Sequence, residues 1–234
     1  MKRFIPLFLA MIMVFSACAG ENSSNSGSTP NNAQNEQQSI SGTEDSSSTA
    51  NLQPASSEPE AFAGTNTEPP GQSTKILVAY FSATGTTKQI AEHAANAMGA
   101  DLYEITPAQP YTSEDLNYND KNSRSTKEMD DPSCRPQISG GVENMADYDI
   151  VFIGYPIWWG EAPRIVSTFV ESYDFSGKTV VTFSTSGGSG HNDRSIKNLA
   201  GSANWITGTR IRNNALRSDV VNWINGLNLN ITAE

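Results

Sequence analysis

The chain has 234 residues, a formal net charge of −10 and a mean hydropathy of −0.43. Two cysteines and two histidines are too few for a disulfide framework or for a Cys/His metal site. The acidic balance argues against nucleic acid as a partner, and it is unevenly spread: Glu21 to Thr74 holds seven acids and no base, leaving −5 on Lys75 to Glu234.

Residues 1–18 read as an export signal. Lys2 and Arg3 give the charged start, Phe4 to Phe15 the apolar centre, and Ser16-Ala17-Cys18 the small-residue end. The apolar run is too short for an ordinary transmembrane span. Residues 19–74 are dominated by Ser, Asn, Thr, Gln, Glu, Gly and Pro, with isolated apolar residues such as Ile40, Leu52 and Phe62. Such a stretch cannot bury enough surface to offset its ordering entropy, so it reads as a disordered tether. Its ~50 residues give a flexible reach on the order of 40 Å. Residues 75–234 suffice for one domain with a sizeable core.

The domain opens with Ile76 to Phe81, a wholly apolar run suited to a strand buried on both faces. Ser82-Ala83-Thr84-Gly85-Thr86-Thr87 follows, and then a helix with Ile90, Ala91, Ala94, Ala95 and Met98 at helical spacing and Gly99 as its stop. Strand, small polar loop and helix together make an anion site, because the first helical N–H groups lack partners and the helix dipole favours negative charge. The alternative is that Ser and Thr simply cap the helix. The loop lacks the Gly-Lys-Ser/Thr ending of a nucleotide-hydrolysing loop and the Gly-x-Gly-x-x-Gly of a dinucleotide site.

Asp101 to Ile105 alternates as a second strand, ended by Pro107 and Pro110. A helix is expected within Ser113 to Met129 of an otherwise irregular polar stretch. Cys134 lies in Pro132-Ser133-Cys134-Arg135-Pro136. A phosphatase-type Cys-x5-Arg loop would need arginine where Gly140 stands, so Cys134 reads as structural or incidental. Asp149 to Gly154 is the next buried strand. It leads into Tyr155-Pro156-Ile157-Trp158-Trp159-Gly160-Glu161, where two adjacent tryptophans cannot both face one core in extended structure. Pro163 suits the first turn of a helix buried through Ile165, Val166, Phe169 and Val170. Lys178 to Ser184 is another buried strand, feeding the loop Thr185-Ser186-Gly187-Gly188-Ser189-Gly190 and a helix near Arg194 to Leu199. Ala203 to Ile206, extending toward Ile211, is the last strand. The last helix, about Asn214 to Leu227, is expected to bury Leu216, Val220, Trp223 and Ile224. Alternating strands and helices predict a parallel sheet covered on both faces, with ligands at the carboxyl ends of the strands. A ligand touching all three special loops needs a phosphate and a flat aromatic part, and FMN has both.

Two resemblances extend this reading. Phe15-Ser16-Ala17-Cys18 resembles the lipobox of bacterial lipoproteins, although Phe15 stands where leucine is usual. The resemblance implies acylation of Cys18, and hence an extracytoplasmic protein lipid-anchored to a bacterial membrane, touching the membrane through that anchor alone. Tyr80-Phe81-Ser82-Ala83-Thr84-Gly85-Thr86-Thr87, Gly154-Tyr155-Pro156-Ile157-Trp158-Trp159-Gly160 and Tyr173-Asp174-Phe175-Ser176-Gly177-Lys178 resemble the flavodoxin family, itself the model case of this fold's switch-point rule. That resemblance spans essentially Lys75 to Leu227. It implies a flavodoxin-like, doubly wound, five-stranded parallel sheet of order 2-1-3-4-5 in a three-layer α/β/α domain, with FMN as cofactor. By the same resemblance Ser82, Thr84, Gly85, Thr86 and Thr87 hold the phosphate. Pro156, Ile157, Trp158, Trp159 and Gly160 line one side of the flavin ring, and Thr185, Ser186, Gly187, Gly188 and Gly190 the other. Flavodoxins often place a second aromatic in that later loop, and this chain has none there. The function implied is electron transfer with a redox protein or a small electron donor or acceptor. An FMN-dependent NAD(P)H or quinone oxidoreductase, and a flavin-free binding module on the same fold, stay open beside it.

Overall fold

The computed structural model describes residues 74–234. Residues 1–73, on which the expected export signal, the expected acylation site at Cys18 and nearly all of the expected tether fall, lie outside the described residues.

Ile76–Tyr80 (β1) is buried at every position. Helix α1, Thr86–Met98, buries Ile90, Ala91, Ala94 and Ala95 as its spacing requires. Gly99, at φ 61°, and the Ala100 N–H, reaching back 3.0 Å to the Ala95 carbonyl, close it. Strand β2 is Asp101–Glu104, and β3 and β4 are the two-residue pair Thr106–Pro107 and Ile138–Ser139. Helix α2 is Arg124–Asp130. Strand β5, Ile150–Pro156, precedes helix α3, Arg164–Glu171, and β6 is Thr179–Thr185. Helix α4, Arg194–Lys197, strand β7, Asn204–Ile211, and helix α5, Arg217–Asn225, complete the domain.

The sheet runs β2-β1-β5-β6-β7 with every neighbouring pair parallel, which is the expected 2-1-3-4-5 order. One apolar layer, built on Leu77, Phe81, Val151, Ile153, Ile165 and Phe169, lies against α3. The other, built on Val78, Tyr80, Ile90, Phe152, Phe183 and Ile224, lies against α1 and α5. Among the described residues no helix is long and apolar enough to cross a membrane.

Two expectations need correction. The helix read within Ser113 to Met129 is confined to α2, and residues 113–122 are successive turns. The Asn117 and Asp120 carboxamide and carboxylate oxygens accept from the backbone N–H groups of Asn119 (3.1 Å) and Asn122 (2.8 Å), offering the chain an alternative to the helical ladder. Leu216 is not buried but 68% exposed. Helix α5 begins only at Arg217, after a turn in which the Ala215 N–H reaches the Arg212 carbonyl, so Leu216 falls outside the apolar stripe. Cys134 is buried.

Candidate cofactor site

The carboxyl ends of β1, β5 and β6 converge on one cavity of about 480 Å³. Ladder bonds carry the strands to its rim. The Phe81 N–H bonds the Gly154 carbonyl at 2.9 Å, and the Ile157 N–H bonds the Thr185 carbonyl at 2.9 Å. The three loops are thus fixed to one another before any ligand arrives.

The first loop contradicts the simple capping alternative. The residue at the head of α1 is Gly85, at φ 88°, a conformation that glycine adopts without Cβ strain, and no side chain caps the helix. Ser82 Oγ accepts from the Gly85 N–H at 3.1 Å and tightens the turn. The first intrahelical bond into this turn is the Gln89 N–H on the Gly85 carbonyl, so the N–H groups of Thr86 and Thr87 have no helical acceptor. Thr84 is exposed and Thr86 half-buried, both on the cavity. Thr87 is buried, its Oγ1 2.9 Å from Thr185 Oγ1. In such a pair one hydroxyl donates and the other keeps its own proton to offer elsewhere.

The second loop is a tight turn. The Trp158 N–H bonds the Glu161 carbonyl and the Glu161 N–H bonds the Trp158 carbonyl, each at 2.9 Å. Trp159 (φ 46°) and Gly160 (φ 84°) are both left-handed, the signature of a type I′ turn. Gly160 suits that position, whereas a tryptophan with positive φ is strained. Trp158 packs inward, edge-on to Phe81 (5.5 Å) and Tyr111 (5.3 Å). Trp159 stays 45% exposed at the rim. The turn thus gives consecutive tryptophans the two environments that extended chain would force on them. The Gly160 carbonyl is held by Asn192 Nδ2 at 2.8 Å.

Behind the third loop lies a polar cluster. His191 sits between Ser184 (Nδ1 to Oγ, 2.9 Å) and Thr182 (Nε2 to Oγ1, 3.0 Å), stacked on the Tyr155 ring. Thr182 also donates to Asp193 at 3.0 Å, and Lys197 reaches Asp193 at 3.0 Å. Burial pushes the His191 imidazole below its ordinary pKa, against the opposing pull of Asp193. Burial alone would raise the Asp193 carboxyl, but hydrogen bonds from Lys197 and Thr182 hold it below the usual range. Burial likewise raises the Tyr155 phenol, whose OH donates to the Asn192 carbonyl at 3.1 Å.

Of the residues picked out from the sequence, Ser82, Thr84, Thr86, Thr87, Pro156, Ile157, Trp158, Trp159, Thr185, Ser186 and Gly187 line this cavity together. Gly85, Gly160, Gly188 and Gly190 stand outside its lining: the first two shape turns, and the last two lie at an exposed loop tip. Sequence reasoning missed Ala83, Leu116, Tyr118, Ser125 and Asn213. Leu116, Tyr118 and Ser125 come from the polar stretch after β2, which has no apolar period. A tyrosine among turn-forming residues was the only signal there. All sixteen lining residues are uncharged. The cavity therefore presents hydroxyls and helix N–H groups at one end and tryptophan, isoleucine and proline along a wall, suited to a planar aromatic molecule with an anionic end.

No curated protein matches the chain. Among solved structures, a protein assigned as a flavoprotein from Bacteroides eggerthii DSM 20697 is 50% identical, covering 67% of this chain and 99% of its own, with a TM-score of 0.64. A second, from Bacteroides uniformis ATCC 8492, is 45% identical over 66% of this chain and 99% of its own, with a TM-score of 0.63. A flavoprotein from Lactobacillus acidophilus NCFM, solved in complex with FMN, is 23% identical over 65% of this chain and 99% of its own, with a TM-score of 0.49. The Flavodoxin family matches residues 75–227. With that match over the whole sheet and its three ligand-facing loops, this chain belongs to the flavodoxin family.

Proposed function

We propose that the protein is an exported, lipid-anchored electron carrier that binds FMN through residues 75–234. The observation that carries the cofactor assignment is the uncapped N-terminus of α1, open to the same cavity as Trp158 and Trp159. The N–H groups and hydroxyls of Thr84, Thr86 and Thr87 would hold the phosphate, and Trp158 and Trp159 the ring. Bound FMN supplies one- and two-electron redox chemistry at its ring, which the protein tunes and orients. The phosphate donors are neutral, so the anionic end keeps its charge and the site disfavours further negative charge on the ring. Exposed Trp159 marks the edge where a redox protein or a small donor or acceptor would approach. The loop after β1 lacks the Gly-x-Gly-x-x-Gly of a dinucleotide site, which favours a carrier over an NAD(P)H-dependent enzyme.

Export and anchoring rest on the signal-like start and on Cys18. The test has two parts. The full chain made in a bacterial host is expected in the detergent phase on phase separation, and Cys18→Ser in the aqueous phase. Rapid mixing of the FMN-loaded protein with NAD(P)H is expected to leave the flavin oxidised. Equal partitioning of both chains would overturn the anchor, and reduction at turnover rates would replace the carrier by an oxidoreductase.

A further inference from the structure

The flavodoxin pattern puts a second aromatic in the loop after β6, and Thr185 to Gly190 holds none. The structure delivers an aromatic to the same cavity from a different place. Tyr118 lies in the turns between β2 and α2, lines the cavity with Trp158 and Trp159, and is 75% exposed.

Its position is built. The segment is pinned at its start by Tyr111, which meets Trp158 at 5.3 Å and Phe81 at 5.8 Å. The Tyr111 OH donates to Glu128 Oε2 at 2.5 Å, and the Arg124 guanidinium lies 4.1 Å over its ring. The turns between are closed by their own bonds. Thr112 and Asp115 bond each other reciprocally, the Asp120 N–H reaches the Asn117 carbonyl at 3.1 Å, and the Thr126 hydroxyl reaches the Asp120 carbonyl at 3.0 Å. At the far end Arg164 holds the Met129 carbonyl at 2.8 Å. Tyr118 is thus a large aromatic presented to water beside a ligand-sized cavity by a braced loop.

A second observation points the same way. Ser125 is 1% exposed, lines the cavity, and its Oγ has no hydrogen-bond partner. Buried hydroxyls are normally satisfied, and leaving one unpaired costs stability. A ligand with polar atoms in the cavity would supply the missing partner.

We propose that Tyr118 forms the second aromatic wall against the cofactor ring, and that Ser125 Oγ makes a polar contact to the bound molecule. This rests on the FMN reading above. It extends that reading by adding an aromatic to the cavity from a segment that the family motifs do not cover, while the loop after β6 supplies none.

The test titrates full-length wild type, Tyr118→Ala, Tyr118→Phe and Ser125→Ala with FMN and with riboflavin, which has the ring but no phosphate, following flavin fluorescence. Tyr118→Ala is expected to weaken both ligands by the same factor, about tenfold, the scale of one aromatic stack. Tyr118→Phe should stay within about twofold of wild type, since the ring and not the hydroxyl makes the wall. Ser125→Ala should bind FMN more weakly while its unliganded form is no less stable to denaturant. Wild-type uptake of FMN with unchanged binding by Tyr118→Ala overturns the inference alone. So does a Tyr118→Ala loss confined to FMN, which would place the side chain at the phosphate end. No uptake by wild type overturns the flavin reading, and this inference with it.

Discussion

Trp159 shows how a single residue sets the balance between stability and binding. Its φ of 46° places a bulky side chain in the left-handed region, and it is too exposed to recover that strain by packing. Replacing it with glycine, which adopts the same backbone freely, should stabilise the unliganded protein by ~1 kcal/mol. The same change removes one aromatic surface from the cavity and should weaken FMN at least about tenfold. Denaturant midpoints and FMN titration of Trp159→Gly measure both signs at once, and a loss of stability would show that the turn is not strained. The residue scale also marks what could be read beforehand. The tryptophan pair was legible because adjacent large aromatics violate the alternation of an extended chain. Tyr118 was not, because its contribution depends on Tyr111 docking onto Trp158, a contact between distant parts of the chain.

At the scale of elements, the buried strands and the glycine-ended helix were legible because each carries its own period or stop signal. The segment before α2 was not, because the Asn117 and Asp120 side chains compete for its backbone N–H groups. The pairing of β6 with β7 hides a further feature. Val181 pairs with Ile206 and Phe183 with Thr209, so Thr182 faces both Thr207 and Gly208 in a bulge. A Cβ at position 208 would overlap the Thr182 carbonyl. Gly208→Ala should therefore cost at least ~2 kcal/mol of stability, read as a lower denaturant midpoint. An unchanged midpoint would mean that the bulge relaxes freely. At the same residue, Thr182 Oγ1 meets His191 and Asp193, and this cluster predicts a pH dependence. The groups facing His191 are Thr182 and Ser184 on β6, Tyr155 on β5, Asp193 beside it, and Lys197 on α4 acting through Asp193. His191 and Asp193 both have lowered pKa values, so the folded state binds fewer protons than the unfolded state, and stability rises with pH. The His191 contribution is fully present above its unfolded pKa of about 6.5 and is lost as pH falls through the lower folded value. Asp193 adds its loss only at more acidic pH. Urea midpoints should fall between about pH 7.5 and pH 5, with a shallower fall in His191→Gln. Parallel slopes for the two proteins would remove His191 from the account.

For the whole molecule, the layered architecture follows from one rule. Three strands buried on both faces force helices onto both sides of a parallel sheet, and ligands then bind where the strands end. That rule located the cavity before any side chain was placed. It could not say how the cavity's remaining wall is made, because residues 111–130 are polar and are fixed by long-range contacts and not by pattern. The central claim is that this cavity holds FMN by its phosphate and its ring. The most direct measurement is the visible spectrum of the purified full-length protein, recorded with and without added FMN. The account predicts flavin bands saturating at one FMN per chain, with the flavin fluorescence quenched by the tryptophans of the β5 turn. A colourless protein that takes up no FMN even at high concentration would contradict it, and would leave a flavodoxin-fold module whose ligand is something else.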